Sequence, residues 1–389
     1  TVTDDMTVGG TLGVTGIATF TDDIIIGNGK TIGSASDVDA ITIASNGQVT
    51  LTQTLIGTAL DISGDIDVDG TTNLDAVDVD GAANFAADVT FAVGADIITA
   101  SGGTGNLRLG EDAGDAVTGN FNVLVGKDSG TALEGAAGNV GLGYRTLYTS
   151  VAGDYNTAIG REALLTSNVS GNNYNTAVGA FAGKLVTTGV DNTIIGGLAG
   201  DAITTGGNNT VLGKQALSAD TKGGTAVAIG QLALGAQNFT SATDNYNVAV
   251  GYSAGVGITT GVQNTIIGGL AGDALTDADK NVAVGRSALT SDTLGSMSTA
   301  IGYSALDNQN FTSATNSRNT AVGHTAGLEG TTAVDNTLIG EQAGYYITTG
   351  SKNTILGRHT GNAGGVDIRT ASNNIVLSDG DGNPRLAYV

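Results

Sequence analysis

The chain has 389 residues, 63 of them Gly, with one Pro, no Cys, no Trp and only 4% aromatics. That palette excludes a core of large side chains, a disulfide scaffold and a thiolate metal site. The 15 Lys and Arg stand against 37 Asp and Glu, a formal net charge of −22, which argues against nucleic acid and anionic membrane surfaces as partners.

No stretch has the roughly 18 apolar residues of a membrane span, so no membrane insertion is expected. The chain opens on Thr and carries no basic-then-apolar leader, and it reads as a processed or partial chain. A hydrophobic fraction of 40%, laid out with strict periodicity, argues for order over the disorder common in acidic Gly-rich chains.

Residues 1–104 come first and predict a β-rich shaft or connector. A Val-x-Gly motif followed by Phe or Leu recurs at Val14-Gly16-Phe20, Val68-Gly70-Leu74 and Val79-Gly81-Phe85. Asp alternates with Val or Ile through Asp65, Asp67, Asp69, Asp78 and Asp80, the signature of half-buried strands with a solvated acidic face.

Residues 105–378 are organised by a second motif: Asn, Thr or Val, two apolar residues, Gly, two variable residues, Ala, then Gly or Leu. Its heads and glycines include Asn156 and Gly160, Asn175 and Gly179, Asn192 and Gly196, and Asn209 and Gly213. They continue through Asn247 and Gly251, Asn264 and Gly268, Asn319 and Gly323, and Asn336 and Gly340. Most copies lie about 17 residues apart, and a degenerate last copy ends at Ser378.

A longer period overlies the first. The closing motif residue runs Gly183, Gly200, Leu217, Leu234 and then repeats as Gly255, Gly272, Leu289, Leu306. Four coils thus make one super-repeat of about 72 residues. Each cycle ends in a longer spacer that reads Gln-Asn-Phe-Thr-Ser-Ala-Thr at 237–243 and again at 309–315.

Such a unit is too short for a helical-hairpin repeat, and its Gly and β-branched content is wrong for helix. It predicts one coil of a parallel β-solenoid. The head Asn is expected to stack as an amide ladder and the motif Gly to allow a sharp bend or a positive φ. Alternation along the strand sends Ala158 and Ile159 to opposite faces, as it does Ala177 and Val178, Ile194 and Ile195, and Ala249 and Val250. One face lines the coil interior. The other needs cover, and other copies of the chain are expected to supply it, with a trimer as the preferred closure.

The N-T-A-I-G-x-x-A-L and N-T-I-I-G-G-L-A-G copies ending at Leu164 and Gly200 resemble the repetitive regions of phage tail fibres. They are also similar to the head repeats of trimeric autotransporter adhesins. The opening M-T-V-G-G-T-L-G-V-T-G and the closing N-N-I-V-L-S-D-G-D-G-N resemble segments that flank such repeats in tail fibres. The resemblance implies an all-β, intertwined homotrimeric fibre, located on a virion tail or at a cell surface, that presents a surface to a host glycan or protein. It also implies that residues 379–389 are an extension leading to an absent or removed C-terminal segment. A bacterial surface adhesin or self-assembled extracellular filament is the alternative.

Chemistry is sparse. No catalytic residue, cofactor site or metal site is expected. His324 and His359 follow motif glycines and lack a recurring Ser or acidic partner. Asp379, Asp381 and Asn383 match the first offsets of a calcium loop, but Pro384 stands next and no Glu closes it, so a tight turn is expected. The tyrosines, among them Tyr144, Tyr174, Tyr246, Tyr303 and Tyr346, are expected to pack at coil edges, with sugar stacking as the alternative. The long spacers are the candidate recognition loops, with Asn238, Phe239, Asn310 and Phe311 as their exposed residues.

Overall fold

A computed structural model describes residues 6–21, 24–27, 30–34, 37–46, 48–51 and 102–389. The chain divides into two units, Thr1–Val89 and Thr90–Val389. In the first, Lys30–Ser34, Asp37–Ile43 and Val49–Leu51 form a three-stranded antiparallel sheet. The Val14-Gly16-Phe20 motif lies in irregular, exposed chain instead of the strand expected there. The Val68 and Val79 motifs and the Asp65–Asp80 alternation fall outside the described residues.

The second unit is an all-β parallel solenoid of about 16 turns with coils of about 17 residues. Every turn contributes one short strand to the main ladder, from Leu107–Leu109 to Ile375–Ser378, and turns beside the long spacers add two-residue strands, such as Gly223–Gly224 paired in parallel with Thr243–Asp244. Each strand pairs in parallel with the strands one turn before and after, without a register shift through the parallel stack. Thr176, Ala177 and Val178 sit level with Thr193, Ile194 and Ile195, and those with Thr210, Val211 and Leu212. At about 4.8 Å per rung the stack is roughly 75 Å long. The chain then reverses: Pro384–Tyr388 pairs antiparallel with Ile375–Ser378 and occupies the place of one more rung.

Three columns explain why this sequence winds so. The middle residue of each strand points inward, and Ala158, Ala177, Ile194, Val211 and Ala228 are fully buried. The head Asn residues form the expected ladder in the interior. The Asn192 side-chain amide donates to Asn175 Oδ1 (3.1 Å) and to the Gly206 carbonyl (3.0 Å), and its own Oδ1 accepts from the Asn209 backbone N–H (3.1 Å). The ladder satisfies turn backbone that no strand pairing reaches. The motif glycines form the third column. Gly196 has φ +137°, and a Cβ there would lie 2.6 Å from the Gly213 carbonyl oxygen, so both its conformation and the next coil's backbone require Gly.

The super-repeat is a rule of core filling. Gly200 is followed three residues later by Ile203, and Gly272 by Leu275, both fully buried. A Cβ on either Gly would come within 2.8 Å of that side chain. Where the same position is Leu217, Leu234, Leu289 or Leu306, the Leu itself fills the coil. The residue three places on is then polar: Asp220, Gln237, Asp292 or Gln309, all buried. Of these two positions, each of these coils fills only one with a large apolar side chain, in addition to the inward residue of its strand, because there is room for only one of the two.

Candidate functional surfaces

The most extended surface feature is the outward face of the ladder of strands. Flanking each inward residue are two outward ones, Thr157 and Ile159, Thr193 and Ile195, Thr265 and Ile267, Val282 and Val284, Thr337 and Ile339. From Leu107 to Leu377 the outward pair of each strand is drawn from Thr, Val, Ile and Leu alone. No charge interrupts it in a chain with 37 acidic and 15 basic side chains. The residues are half-buried to exposed, with Leu212 at 45% and Leu356 at 51%. Unbroken register turns a pattern scattered along most of the chain into one straight stripe.

The long spacers are exposed over most of their residues, as expected, but not at their aromatic rings. Asn238 and Asn310 are exposed, but Phe239 and Phe311 are only 6% exposed, which corrects their reading as projecting loop residues. Phe239 lies over Gly223, and Phe311 over Gly295, where any side chain would collide with the ring.

Beneath each ring is a polar plug. Asp220 Oδ2 accepts from the Gln237 amide (2.6 Å), and its Oδ1 accepts from the backbone N–H of Gly223 (2.9 Å) and of Phe239 (3.2 Å). Gln237 Oε1 in turn accepts from Asn247 Nδ2 (2.9 Å). Asp292, Gln309 and Asn319 repeat this arrangement one super-repeat on. Burial pushes the Asp292 carboxyl above its ordinary range, against the Gln309 amide and the backbone N–H groups that favour its charged form.

The plug explains two gaps in the amide ladder. The head positions before these spacers are Ala226 and Ser298 instead of Asn. Ala226 N–H still donates to Asn209 Oδ1 (2.9 Å) and Ser298 N–H to Asn281 Oδ1 (2.9 Å), but neither passes the chain of amides onward. Gln237 and Gln309 reach in from later in the same coils and hold Asn247 and Asn319, the next head Asn after each gap. Sequence reading saw the spacer and missed the missing Asn that makes room for it.

Aromatic side chains line the coil edges. The rings of Tyr155 and Tyr174 stack at 5.3 Å and those of Tyr303 and His324 at 5.3 Å. The Arg145 guanidinium covers Tyr148 at 4.7 Å, and Arg161 covers Phe181 at 5.3 Å. His359 is buried, and its Nδ1 accepts from the Gly361 N–H. Asp379 Oδ1 accepts from the backbone N–H of Asp381 and Asn383, while Oδ2 takes the Arg385 guanidinium, so its oxygens close a turn. Among the described residues no group of three His, Cys, Asp or Glu side chains converges on a cation-sized site.

Comparison with protein-family models, with curated proteins and with solved structures finds no match for the chain.

Proposed function

We propose that the chain is one strand of a homotrimeric extracellular fibre, structural and adhesive in role, of the kind carried on virion tails. The observation that carries the reading is the uncharged stripe. A stripe of roughly 75 Å by 10 Å is close to the surface that each partner gives to a standard stable interface, about 800 Å². Left in water it would be an unusually long apolar patch for a chain otherwise so acidic.

Three copies packed stripe to stripe would leave the charged and aromatic coil edges outside. The acidic exterior would keep finished fibres from adhering to each other. The exposed edges and the spacer residues Asn238 and Asn310 would then be the surface offered to a host glycan or protein.

The test is absolute mass by light scattering after size exclusion, with the frictional ratio from sedimentation. The expected result is three times 38.3 kDa in an elongated particle. A monomer at micromolar concentration would overturn the trimeric reading.

A further inference from the structure

The stripe that suits self-association carries almost no information about alignment. Thr193 and Ile195 recur one super-repeat later as Thr265 and Ile267, and Val248 and Val250 as Thr320 and Val322. A neighbouring copy displaced by four rungs, roughly 19 Å, meets the same kind of surface at nearly every position. Uniform strands are prone to slip for this reason. A fibre with aligned ends needs a register signal from elsewhere.

The last rung supplies a candidate. Pro384–Tyr388 pairs with the final solenoid strand so that Tyr388 lies opposite Ile375 and Leu386 opposite Leu377. Directly opposed residues share a face of the sheet, so Leu386 and Tyr388 extend the outward stripe. They are 61% and 75% exposed. Every outward position of the solenoid strands before them is Thr, Val, Ile or Leu, and Tyr388 is the one aromatic placed on this face among the described strands of the stack. The stripe therefore gathers four large side chains, Ile375, Leu377, Leu386 and Tyr388, at one place among the described strands of the stack.

We propose that this antiparallel rung is a register key, and that its partner is the same rung of a second parallel copy. In register, the aromatic rings and leucines of all copies bury one another. Displaced by four rungs, Tyr388 comes level with the Thr320–Val322 strand of its neighbour, and the two aromatic rungs no longer meet. An aromatic side chain is among the largest apolar areas a single residue can contribute, so the aligned state is selected at this rung while the rest of the stripe supplies adhesion. The inference rests on the self-association reading above, and the following experiment separates the two.

The chain has no Cys, so Leu212→Cys and Val284→Cys each create a unique thiol on the stripe, four rungs apart. The two variants, with tags of different size, are coexpressed and treated with a short bismaleimide. Registered parallel copies give 212–212 and 284–284 products, with the 212–284 product at least about tenfold rarer. Adding Leu386→Ser and Tyr388→Ser should raise the 212–284 product at least fivefold while the oligomer mass is retained. Tyr388→Phe, which keeps the ring, should leave the products as in the parent. Hydrogen exchange of the Ile375–Ser378 amides checks that the last solenoid strand is still formed.

A 212–284 product as abundant as 212–212 in the parent, or one that does not respond to the double substitution, would overturn the register key alone. A monomeric parent with no cross-linked product would overturn the self-association reading with it. An oligomer that gives no product from either thiol would show that the stripe is not the interface, and both readings would fall.

Discussion

At the scale of single residues, the interior of this solenoid is held by amides as much as by hydrocarbon. Asn192 is fully buried and serves three backbone or side-chain partners on two adjoining turns. A buried Asn would be costly without them, since each unmet polar group carries about 1–3 kcal/mol. Asn192→Ala would strand the Gly206 carbonyl and the Asn209 N–H. The expected loss is about 2–5 kcal/mol, read as a lower midpoint in urea and as faster hydrogen exchange centred on residues 192–209. Unchanged exchange there would mean that water replaces the amide.

Left-handed backbone is also common at this scale. Glu162 and Leu164 have φ +54° and +46°, and the residue before the head Asn, such as Tyr155 or Asp191, is left-handed too. Side chains other than Gly carry a conformational cost there, offset by coil-to-coil hydrogen bonds such as Glu162 N–H to the Tyr144 carbonyl.

Between the residue and the molecule stands the coil, and the informative coils are those with the long spacers. Gln237 occupies space that Asn would fill at position 226. Gln237→Ala would leave the buried Asp220 carboxylate short of one donor and Asn247 short of one acceptor, with an expected cost of about 3 kcal/mol. Restoring the ladder by Ala226→Asn should recover part of that loss in the Gln237→Ala background and be destabilising on its own. A double-mutant cycle on thermal midpoints measures the coupling, and simple additivity would refute the shared-space account.

The same plug gives a pH dependence. The Asp292 carboxyl sits above its unfolded value because burial disfavours the charge. The folded chain therefore binds that proton more tightly than the unfolded chain. The resulting stabilisation is fully present below the unfolded carboxylate pKa and is lost as pH rises through the higher folded value. Comparing Asp292→Asn with the parent across the acidic range should show the parent gaining relative stability as pH falls. A parent that loses ground to the variant on acidification would reverse the sign.

For the molecule as a whole, the proposed assembly rests on the strand stripe. Its residues lie outside the coil interior, so charge placed there should spare the coil and disrupt assembly. Ile267→Asp and Thr299→Asp are expected to retain the far-ultraviolet β signature and the monomer's heat stability to within about 1 kcal/mol. Particle mass should fall toward a single chain. If such variants keep the full oligomer mass, another surface joins the copies.

Much of this architecture is legible in one dimension because a solenoid is nearly one-dimensional. Each coil meets only its neighbours, so a regular spacing of Asn, an apolar pair and Gly specifies strand, ladder and bend together. The four-coil order of Gly183, Gly200, Leu217 and Leu234 announced a longer cycle without its cause. That cause is the exchange of one core-filling position for another inside a fixed cross-section, and it requires knowing that Leu217 and Ile203 compete for equivalent space. Phe239 was misread for a related reason: a polar spacer with an aromatic reads as an exposed loop, and only the missing side chain at Gly223 shows where the ring goes. The repeat by itself determined coil, ladder and apolar face, since those follow from local spacing. Tertiary structure alone decided that Gln237 and Phe239 of the spacer turn inward over the buried Asp220 side chain while Asn238 stays exposed, and that Leu386 and Tyr388 join the stripe. Both outcomes depend on which residues stacking brings level, and local spacing does not encode that.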